Sequence, residues 1–467
     1  MSGGEIRSDG RQLTALATPI AMTQLAQVAV STTNIALMGS LGVDQVAAGG
    51  LALVLFNQIR TMCVGLITGT GNQIATAVSH AEKRNISADK EIRDVLRASL
   101  LISTVAGVAG GVVLIGLGWA LRWLGQDEVV LAQARPMMVA LAPGLLPCLW
   151  FQVIRQYTVG MRRPQALLLV TLGSVALNLV AALAFMHGWA GLPAMGLTGV
   201  GVATSLVFLV TCIVFWTMVR RDAQLGAALS LRVGPVQWAT VAAELRLGTP
   251  IALTYGSEAG LFSVLALAMG TLGAAALAAH NVVYQLVYIV FQVAIGLSHG
   301  ASILVSRAVA REEFPHARAL AWLALRHAAV VAALVGVLYL AAPDTVLRPF
   351  LIGHDGATVQ LAHTLLLIAI VLQFFDAAQN IANGLLRGLS DTRAGFRLSL
   401  VGYWVVGLPV ALLLAFPAGL GVAGAWWGLT AGLATTALLM LRRYFALLRA
   451  RANDRTPAPP EPIRSVG

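Results

Sequence analysis

Twelve long apolar runs follow one another along this chain, and each is long enough to cross a membrane as a helix. A transmembrane helix needs about 20 apolar residues to cross a hydrocarbon core of roughly 30 Å. Hydrophobic residues make up 58% of the chain and charged residues only 11%. Water-soluble proteins have fewer hydrophobic and more charged residues than this. We therefore predict an all-α polytopic membrane protein with spans at 13–38, 46–80, 96–121, 131–157, 164–187, 196–219, 247–271, 276–306, 319–343, 358–386, 395–416 and 420–445.

The basic residues predict the orientation of the spans. With the N-terminus in the cytoplasm, all but four of the 31 Lys and Arg fall in cytoplasmic segments, a count that includes Arg155. The exceptions are Arg60, Arg122, Arg135 and Arg348. This bias follows the positive-inside rule, so we expect a bacterial inner-membrane protein with both termini in the cytoplasm. The net charge of +11 then requires no nucleic-acid partner, and membrane lipids with anionic headgroups are the expected neighbours.

Repeated motifs divide the chain into two halves. TPIAMT at 18–23 recurs as TPIALT at 249–254, and MGSLG at 38–42 recurs as MGTLG at 269–273, at the same offset of 231 residues. Gly196 and Gly199 match Gly421 and Gly424 at a slightly shorter offset. Parallel repeats of six helices predict two pseudo-symmetric lobes around a central cleft. The expected boundaries are a cytoplasmic N-terminus at 1–12, lobes at 13–219 and 247–449, a cytoplasmic linker at 220–246 and a disordered tail at 450–467.

Two acids stand alone within long apolar stretches. Glu258 is the only charged residue between Leu247 and Ser306, and Asp376 is the only one between Gly356 and Leu386. An ionisable residue at the centre of a membrane helix costs roughly 2.5 to 3.5 kcal/mol, so it usually faces a cavity or a partner and has a function. We predict that these two carboxylates bind a proton or a hard cation.

Three helices carry polar side chains at helical spacing. The residues are Gln24, Gln27, Ser31 and Asn34 in the first span, Asn281, Tyr284, Gln285, Tyr288 and Gln292 in the eighth, and Gln373, Asp376, Gln379, Asn380 and Asn383 in the tenth. Such stripes indicate the polar wall of a substrate cleft. The alternative is hydrogen bonding between helices that only packs the bundle, at about 0.6 kcal/mol per contact.

Six segments in this order are distinctive: MGSLGVDQVAAGGLA, LNLVAALAFMHGWAGLPAMGLTGVGVATS, LGTPIALTYGSEAGLF, LGAAALAAHNVV, NGLLRGLSDTR and YWVVGLPVALLLAF. Together they resemble the multidrug and toxic compound extrusion (MATE) family, in its bacterial NorM-like branch, over nearly the whole chain. The resemblance implies a secondary active exporter of amphipathic organic cations and dyes that works by rocking-lobe alternating access. Inward flow of Na⁺, or alternatively H⁺, would drive it, and no cofactor is implied.

The resemblance also implies roles for individual residues. Glu258 and Asp376 match the family's acids on the seventh and tenth helices, and the coupling cation is expected there, with Tyr255 and Asn380 close by. Gln285, Asn178 and Thr204 match polar positions on the eighth, fifth and sixth helices. The expected lining of the substrate cleft is Gln27, Asn34, Asn178, Thr204, Tyr284, Gln285, Tyr288, Gln292 and Gln379.

Three positions depart from the family pattern. Asn34 replaces an acid that many relatives have in the first helix, Ala182 replaces a second polar residue on the fifth, and Leu372 replaces a tyrosine before Asp376. The first two leave the N-terminal lobe without an intramembrane carboxylate. A proton-binding role for that lobe is therefore not expected.

Other functions remain as alternatives. A flippase or exporter of a lipid-linked or other amphipathic metabolite would share the two-lobed architecture. It would need a strongly cationic cleft, and Arg60 is the one residue that supports this alternative. Arg60 is interpreted either as a structural bridge or as a counter-charge facing the acids.

A membrane enzyme would need a cluster of His and acids, which the sequence lacks, so we expect a transporter and no enzyme. We expect the transporter to be a monomer. The drugs and the choice between Na⁺ and H⁺ stay open.

Overall fold

The computed structural model describes residues 3–39, 41, 43–124, 128–163, 165–191, 193–226, 229, 236–351 and 356–453. These residues contain twelve helices that are long and apolar enough to cross a membrane, as the sequence predicts. We number them span 1 to span 12 in chain order. Between residues 128 and 160, span 4 consists of two α-helices joined by a short 3₁₀ turn, and span 11 contains a π-helical segment.

The α-helices of the twelve spans have the following bounds. Spans 1 to 6 are Gly3–Gly39, Val43–Ile67 with Thr70–Arg84, Asp89–Ala120, Glu128–Leu141 with Leu145–Gly160, Gln165–His187, and Leu197–Arg221. Spans 7 to 12 are Trp238–Thr271, Ala274–Ala310, Phe314–Ala341, Gly356–Gly388, Thr392–Leu400 with Leu408–Ala415, and Gly421–Asn453. The π-helical segment of span 11 is Val401–Gly407. A short helix, Pro343–Leu347, and 3₁₀ turns at Leu121–Leu124, Ala142–Gly144, Trp189–Gly191 and Arg348–Phe350 complete the list.

Two helices continue past the apolar residues that predicted them. Span 7 begins at Trp238, so its first turns occupy part of the predicted linker 220–246. Its polar residues are held in a helix because Glu244 is buried against spans 2 and 3. At the other end, span 12 continues to Asn453 into the predicted disordered tail. Residues 454–467 of that tail and residues 1 and 2 of the predicted N-terminus lie outside the described residues.

The repeated motif TPIAxT makes the same local contact in both halves. The hydroxyl of Thr23 donates to the carbonyl of Pro19 at 2.8 Å, and the hydroxyl of Thr254 donates to the carbonyl of Pro250 at 2.9 Å. Each proline lies inside its helix. Because the same sequence forms the same hydrogen bond, the two halves begin with equivalent helices.

The glycine pairs of the repeat are also equivalent in three dimensions. Gly196 precedes span 6 and Gly421 is the first residue of span 12, with φ of 53° and 54°, a left-handed conformation that glycine adopts at no steric cost. One turn later, Gly199 and Gly424 let the helix approach the preceding one closely. A Cβ atom at Gly199 would lie 2.6 Å from the carbonyl oxygen of Phe185, and one at Gly424 would lie 2.5 Å from that of Leu414. The predicted two-lobe repeat is confirmed.

The two lobes meet along span 1 against span 8 and span 2 against span 7. Glycines permit this close packing. A Cβ atom at Gly248 would lie 1.8 Å from the carbonyl oxygen of Leu66, and one at Gly296 would lie 2.8 Å from the backbone nitrogen of Ala21. The repeat thus places the first two helices of each half at the centre of the molecule, on either side of the cleft.

Polar contacts lock the lobes together at one end of the cleft. Arg307 of span 8 donates to both carboxylate oxygens of Glu82 in span 2 at 2.8 Å, and Arg311 also pairs with Glu82. Deeper in the same interface, the amide of Asn72 donates to the hydroxyls of Ser302 and Ser306 at 2.7 Å. We refer to the face where spans 2 and 8 end as the closed face.

Candidate functional site

Glu258 of span 7 and Asp376 of span 10 lie close together inside the C-terminal lobe. Their side chains are buried, with exposed fractions of 8% and 5%. The two carboxylates are close enough to interact electrostatically, and Glu258 is within hydrogen-bonding reach of Gln379. Asp376 accepts a hydrogen bond from Asn380, one helical turn along, at 3.1 Å. Glu258, Asp376, Gln379 and Asn380 form the acid cluster.

Span 11 completes the acid cluster through its π-helical segment. The amide of Gln379 donates to the hydroxyl of Tyr403 at 2.6 Å, and the indole of Trp404 donates to the hydroxyl of Ser257, next to Glu258, at 2.8 Å. Both aromatic residues belong to the π-helical segment, and such segments are frequent at functional sites. Hydrophobic periodicity does not predict the contact of Tyr403 with Gln379, because the π-helical segment changes the helical pitch locally.

Buried polar atoms without hydrogen-bond partners occur at Glu258 and at two glutamines of span 10. Glu258 Oε1, Gln379 Oε1 and both Oε1 and Nε2 of Gln373 lack a partner among the described residues. Buried polar atoms are nearly always hydrogen-bonded, so three unsatisfied oxygens in one region need an explanation. Oxygen atoms of this kind are the ligands that hard cations prefer. The arrangement can therefore accept a proton or a small cation.

Tyrosines of span 8 lead from the acid cluster toward the other lobe. Tyr284 lies near both acids, and its ring is tilted by 31° against that of Tyr288, with 6.1 Å between ring centroids. Tyr288 lies within electrostatic reach of Glu258 on one side and Arg60 of span 2 on the other. Gln292, two turns from Gln285, is buried, whereas Asn281 is exposed. The predicted stripe of span 8 thus connects the two lobes, with Asn281 outside it.

In the N-terminal lobe, three predicted residues form a hydrogen-bonded chain. The amide of Asn178 donates to Asn34 at 2.8 Å, and the amide of Asn34 donates to the hydroxyl of Thr204 at 3.2 Å. All three line a cavity of about 60 Å³, together with Gln27 and Arg60. A cavity of this size and polarity can hold a few water molecules. The structure therefore joins spans 1, 5 and 6 through neutral groups only.

Arg155 is the main residue whose position was predicted wrongly. It was expected in a cytoplasmic segment, but its side chain is only 4% exposed and lies in span 4, within electrostatic reach of Arg60 and of Tyr255 in span 7. It donates to Gln24 of span 1 at 3.1 Å and to Gln152 at 3.0 Å. The signal was present in the sequence, because Cys148, Gln152 and Arg155 follow helical spacing on one face.

Glu244 was also missed, because it falls in the predicted linker. It is fully buried at the interface of the lobes and accepts a hydrogen bond from Ser99 of span 3 at 3.2 Å. Its other oxygen, Oε2, has no partner among the described residues. An acid so close to the end of an apolar run looks like a loop residue in the sequence, and only packing between lobes buries it.

A twelve-helix bundle with a buried polar region in each of two lobes is typical of a membrane transporter. The sequence profile of the MatE family matches residues 19–184 and 250–413, and the two matches begin 231 residues apart, the offset of the repeat. The chain is 34% identical over 427 residues to the probable multidrug resistance protein NorM of Pseudomonas aeruginosa, covering 91% of this chain and 86% of that one. It is also 34% identical to a probable NorM of Bradyrhizobium diazoefficiens, over 93% of this chain and 92% of the relative.

A solved structure has the same fold. An outward-facing multidrug resistance MATE transporter of the MOP superfamily superposes with a TM-score of 0.86 at 18% identity, covering 95% of this chain and 97% of that one. The chain belongs to the MATE family, in its NorM-like branch. It is therefore a multi-pass membrane transporter of a multidrug efflux family rather than an enzyme, as predicted.

Proposed function

We propose that the protein exports amphipathic organic cations in exchange for a coupling cation, Na⁺ or H⁺, that binds at Glu258 and Asp376. The observation that carries this proposal is the pair of buried carboxylates with unsatisfied oxygens around them. Na⁺ is favoured because Glu258, Gln373 and Gln379 each offer an oxygen that no described donor uses. Protonation of the carboxylates is the alternative, since a proton also neutralises a buried charge.

The exchange follows from competition for the same negative charge. A cationic drug and the coupling cation are both attracted to the acid cluster, so binding of one weakens binding of the other. Linkage requires that the two effects be equal in free energy. If the empty cluster changes access slowly, only the two loaded forms cross efficiently, and an inward cation gradient drives the drug out.

The contacts between the lobes support a proposal for the state of the structure within this cycle. If both termini lie in the cytoplasm, as the basic residues predict, the closed face is the cytoplasmic face of the inner membrane. The contacts of Glu82 with Arg307 and of Asn72 with Ser302 then hold the cytoplasmic side shut. We therefore assign the structure to the state in which a monomer releases drug outward and takes up the coupling cation.

Transport into inverted membrane vesicles tests the proposal. Ethidium uptake is measured under a Na⁺ gradient and, separately, under a pH gradient. We expect one gradient to drive uptake and Glu258→Gln and Asp376→Asn each to abolish it, whereas Asp344→Asn, an exposed acid paired with His363, should transport normally. Full gradient-driven transport by both neutral variants would contradict the proposal. Failure to transport any cationic dye would instead favour an exporter of a lipid-linked or other amphipathic metabolite.

A further inference from the structure

A groove runs along the surface between span 1 of the N-terminal lobe and span 9 of the C-terminal lobe. Both spans pack on span 8, but they touch each other at few positions. The groove consists of a cavity of about 820 Å³ and an adjoining cavity of about 400 Å³. We call the two together the lobe groove, because they share Thr14, Thr18, Arg326 and His327.

One end of the lobe groove lies near the closed face. Spans 2 and 8 end at the closed face, so spans 1 and 9 follow a neighbour that brings their first turns to the same side. Asp9 and His316 join these first turns at 3.2 Å. The groove begins just beyond this contact, at Gly10 and Arg11, and leads along the two spans into the bundle.

The chemistry of the lobe groove changes along its length. The larger cavity contains Arg11 of span 1 and Arg326 of span 9, together with the hydroxyls of Thr14 and Thr18. The smaller cavity continues along apolar side chains, which are Ala17, Ala21, Val293, Leu297, Val330 and Val331. The groove is therefore cationic near the closed face and apolar farther along. This is the polarity of a phospholipid, with its charged headgroup and its acyl chains.

The two arginines of the lobe groove have no acid to neutralise them. Neither Arg11 nor Arg326 forms an ion pair or a hydrogen bond with its side chain among the described residues, and Asp9, two positions before Arg11, pairs with His316 instead. Arg326 lies about 18 Å along span 9 from its first residue, Phe314. A charge at such a depth in a membrane helix is stabilised by an anionic partner or by reaching the headgroups.

We propose that the lobe groove is a binding site for phosphatidylglycerol, with the lipid phosphate between Arg11 and Arg326 and an acyl chain along the apolar part. Basic pockets between membrane helices bind anionic headgroups, and arginine binds phosphate through two parallel hydrogen bonds. Phosphatidylglycerol is preferred to a zwitterionic lipid because its headgroup carries no cation that would be repelled by the arginines. The site is separate from the acid cluster, and its walls come from both lobes.

Lipid titrations of the detergent-purified protein, followed by native mass spectrometry, test the charged part of the site. The readout is the ratio of dissociation constants for phosphatidylcholine and phosphatidylglycerol with the same acyl chains. We expect wild type to prefer phosphatidylglycerol, and Arg11→Gln and Arg326→Gln each to lower this preference about tenfold, because each removes charge-assisted hydrogen bonds. Arg326→Lys keeps the charge without the planar fork and should retain part of the preference.

Arg318→Gln is the matched control, because Arg318 is an exposed arginine of span 9 that lines neither cavity. We expect the wild-type ratio in this variant. An equal loss of preference in Arg318→Gln and in the two groove variants would mean that surface charge in general attracts the lipid, and it would overturn the site. Equal binding of both lipids by wild type would overturn it as well.

Val331→Phe tests the apolar part without changing any charge. A larger side chain should fill the smaller cavity, so we expect weaker binding of both lipids with an unchanged ratio. Val337→Phe, at an exposed position of the same helix outside the groove, should bind both lipids as wild type does. Wild-type affinities in Val331→Phe would show that no acyl chain lies in the groove, and a lipid would be excluded as its occupant.

A lipid bound between the lobes should also stabilise their present arrangement. Spin labels at Ser87→Cys and Arg318→Cys, one in each lobe, report the distance between the lobes by pulsed electron resonance. We expect a shorter distance in nanodiscs of phosphatidylglycerol than in nanodiscs of phosphatidylcholine, and no such difference once Arg326→Gln is added. The same distance in both lipids with the groove intact would contradict a bridge between the lobes.

Discussion

At the scale of single residues, the carboxylates of Glu258 and Asp376 accept few hydrogen bonds from the protein. Gln379 donates to Tyr403 and lies beside Glu258, so one amide contacts both the tyrosine and the acid. Asn380 does the same for Asp376 through a single hydrogen bond. Each carboxylate is therefore held in place by a hydrogen-bonding neighbour, and it still has lone pairs that could bind a cation.

The hydroxyl of Tyr403 gives a prediction at this scale. Tyr403→Phe should remove one acceptor of the buried amide of Gln379, at about 1 to 3 kcal/mol, and leave that amide free to donate to Glu258 in competition with a cation. We expect a lower melting temperature and a smaller gain in melting temperature on adding Na⁺, both measured by thermal unfolding in detergent.

Tyr444→Phe is the matched control for this prediction. Tyr444 is also fully buried and donates one hydrogen bond, to the carbonyl of Ala317 at 2.9 Å, but it lies away from the acids. Its loss should lower the melting temperature without changing the response to Na⁺. The same Na⁺ response in both variants would show that Tyr403 has no part in cation binding.

At the scale of helices, the cleft depends on close packing between the lobes. Span 7 crosses span 2 at Gly248 and contributes Glu258 to the acid cluster further along the same helix. Small residues at such crossings let membrane helices approach at backbone distance. The position of the acid across the cleft is thus coupled to the crossing point of these two helices.

Two glycines of span 7 test this coupling. Gly248→Ala places a methyl group 1.8 Å from the carbonyl oxygen of Leu66, so the helices must separate, at about 1 to 3 kcal/mol. Gly270→Ala, in the same helix, meets nothing within 4 Å and should be neutral or slightly stabilising, since alanine favours a helix by up to about 1 kcal/mol. Thermal unfolding of both variants checks the difference. Equal melting temperatures for the two variants would mean that spans 2 and 7 can separate at Gly248 without loss of stability.

At the scale of the whole molecule, the closed face joins the two lobes through ion pairs. Glu82 joins the lobes through Arg307, whose side chain is only 10% exposed, and through Arg311. Lys83 and Glu312 make a second pair across the same interface, but both are substantially exposed. The two pairs therefore differ in how strongly water and salt screen them.

Glu82→Gln should shift the molecule toward opening at the closed face. It leaves the nearly buried Arg307 without its anion, at about 1 to 3 kcal/mol, whereas Lys83→Gln removes an exposed pair that contributes about 1 kcal/mol or less. Spin labels at the exposed positions Ser87→Cys and Arg318→Cys report the distance between the lobes by pulsed electron resonance. We expect a longer distance for Glu82→Gln and a nearly unchanged one for Lys83→Gln. An unchanged distance in both variants would contradict this role of Glu82.

Hydrophobic length, repeated motifs and isolated charges are local properties of the chain, so they were enough to predict the number of spans, the two-lobe repeat and the positions of two acids within spans. Arg155 and Glu244 could not be placed in this way, since a charge near the end of an apolar run looks the same whether it faces water or a neighbouring lobe. Tyr403 depends on a local change of helical pitch that the apolar pattern conceals. Only the packing of the lobes decided which of these side chains are buried, because burial arises from helices that are distant in sequence.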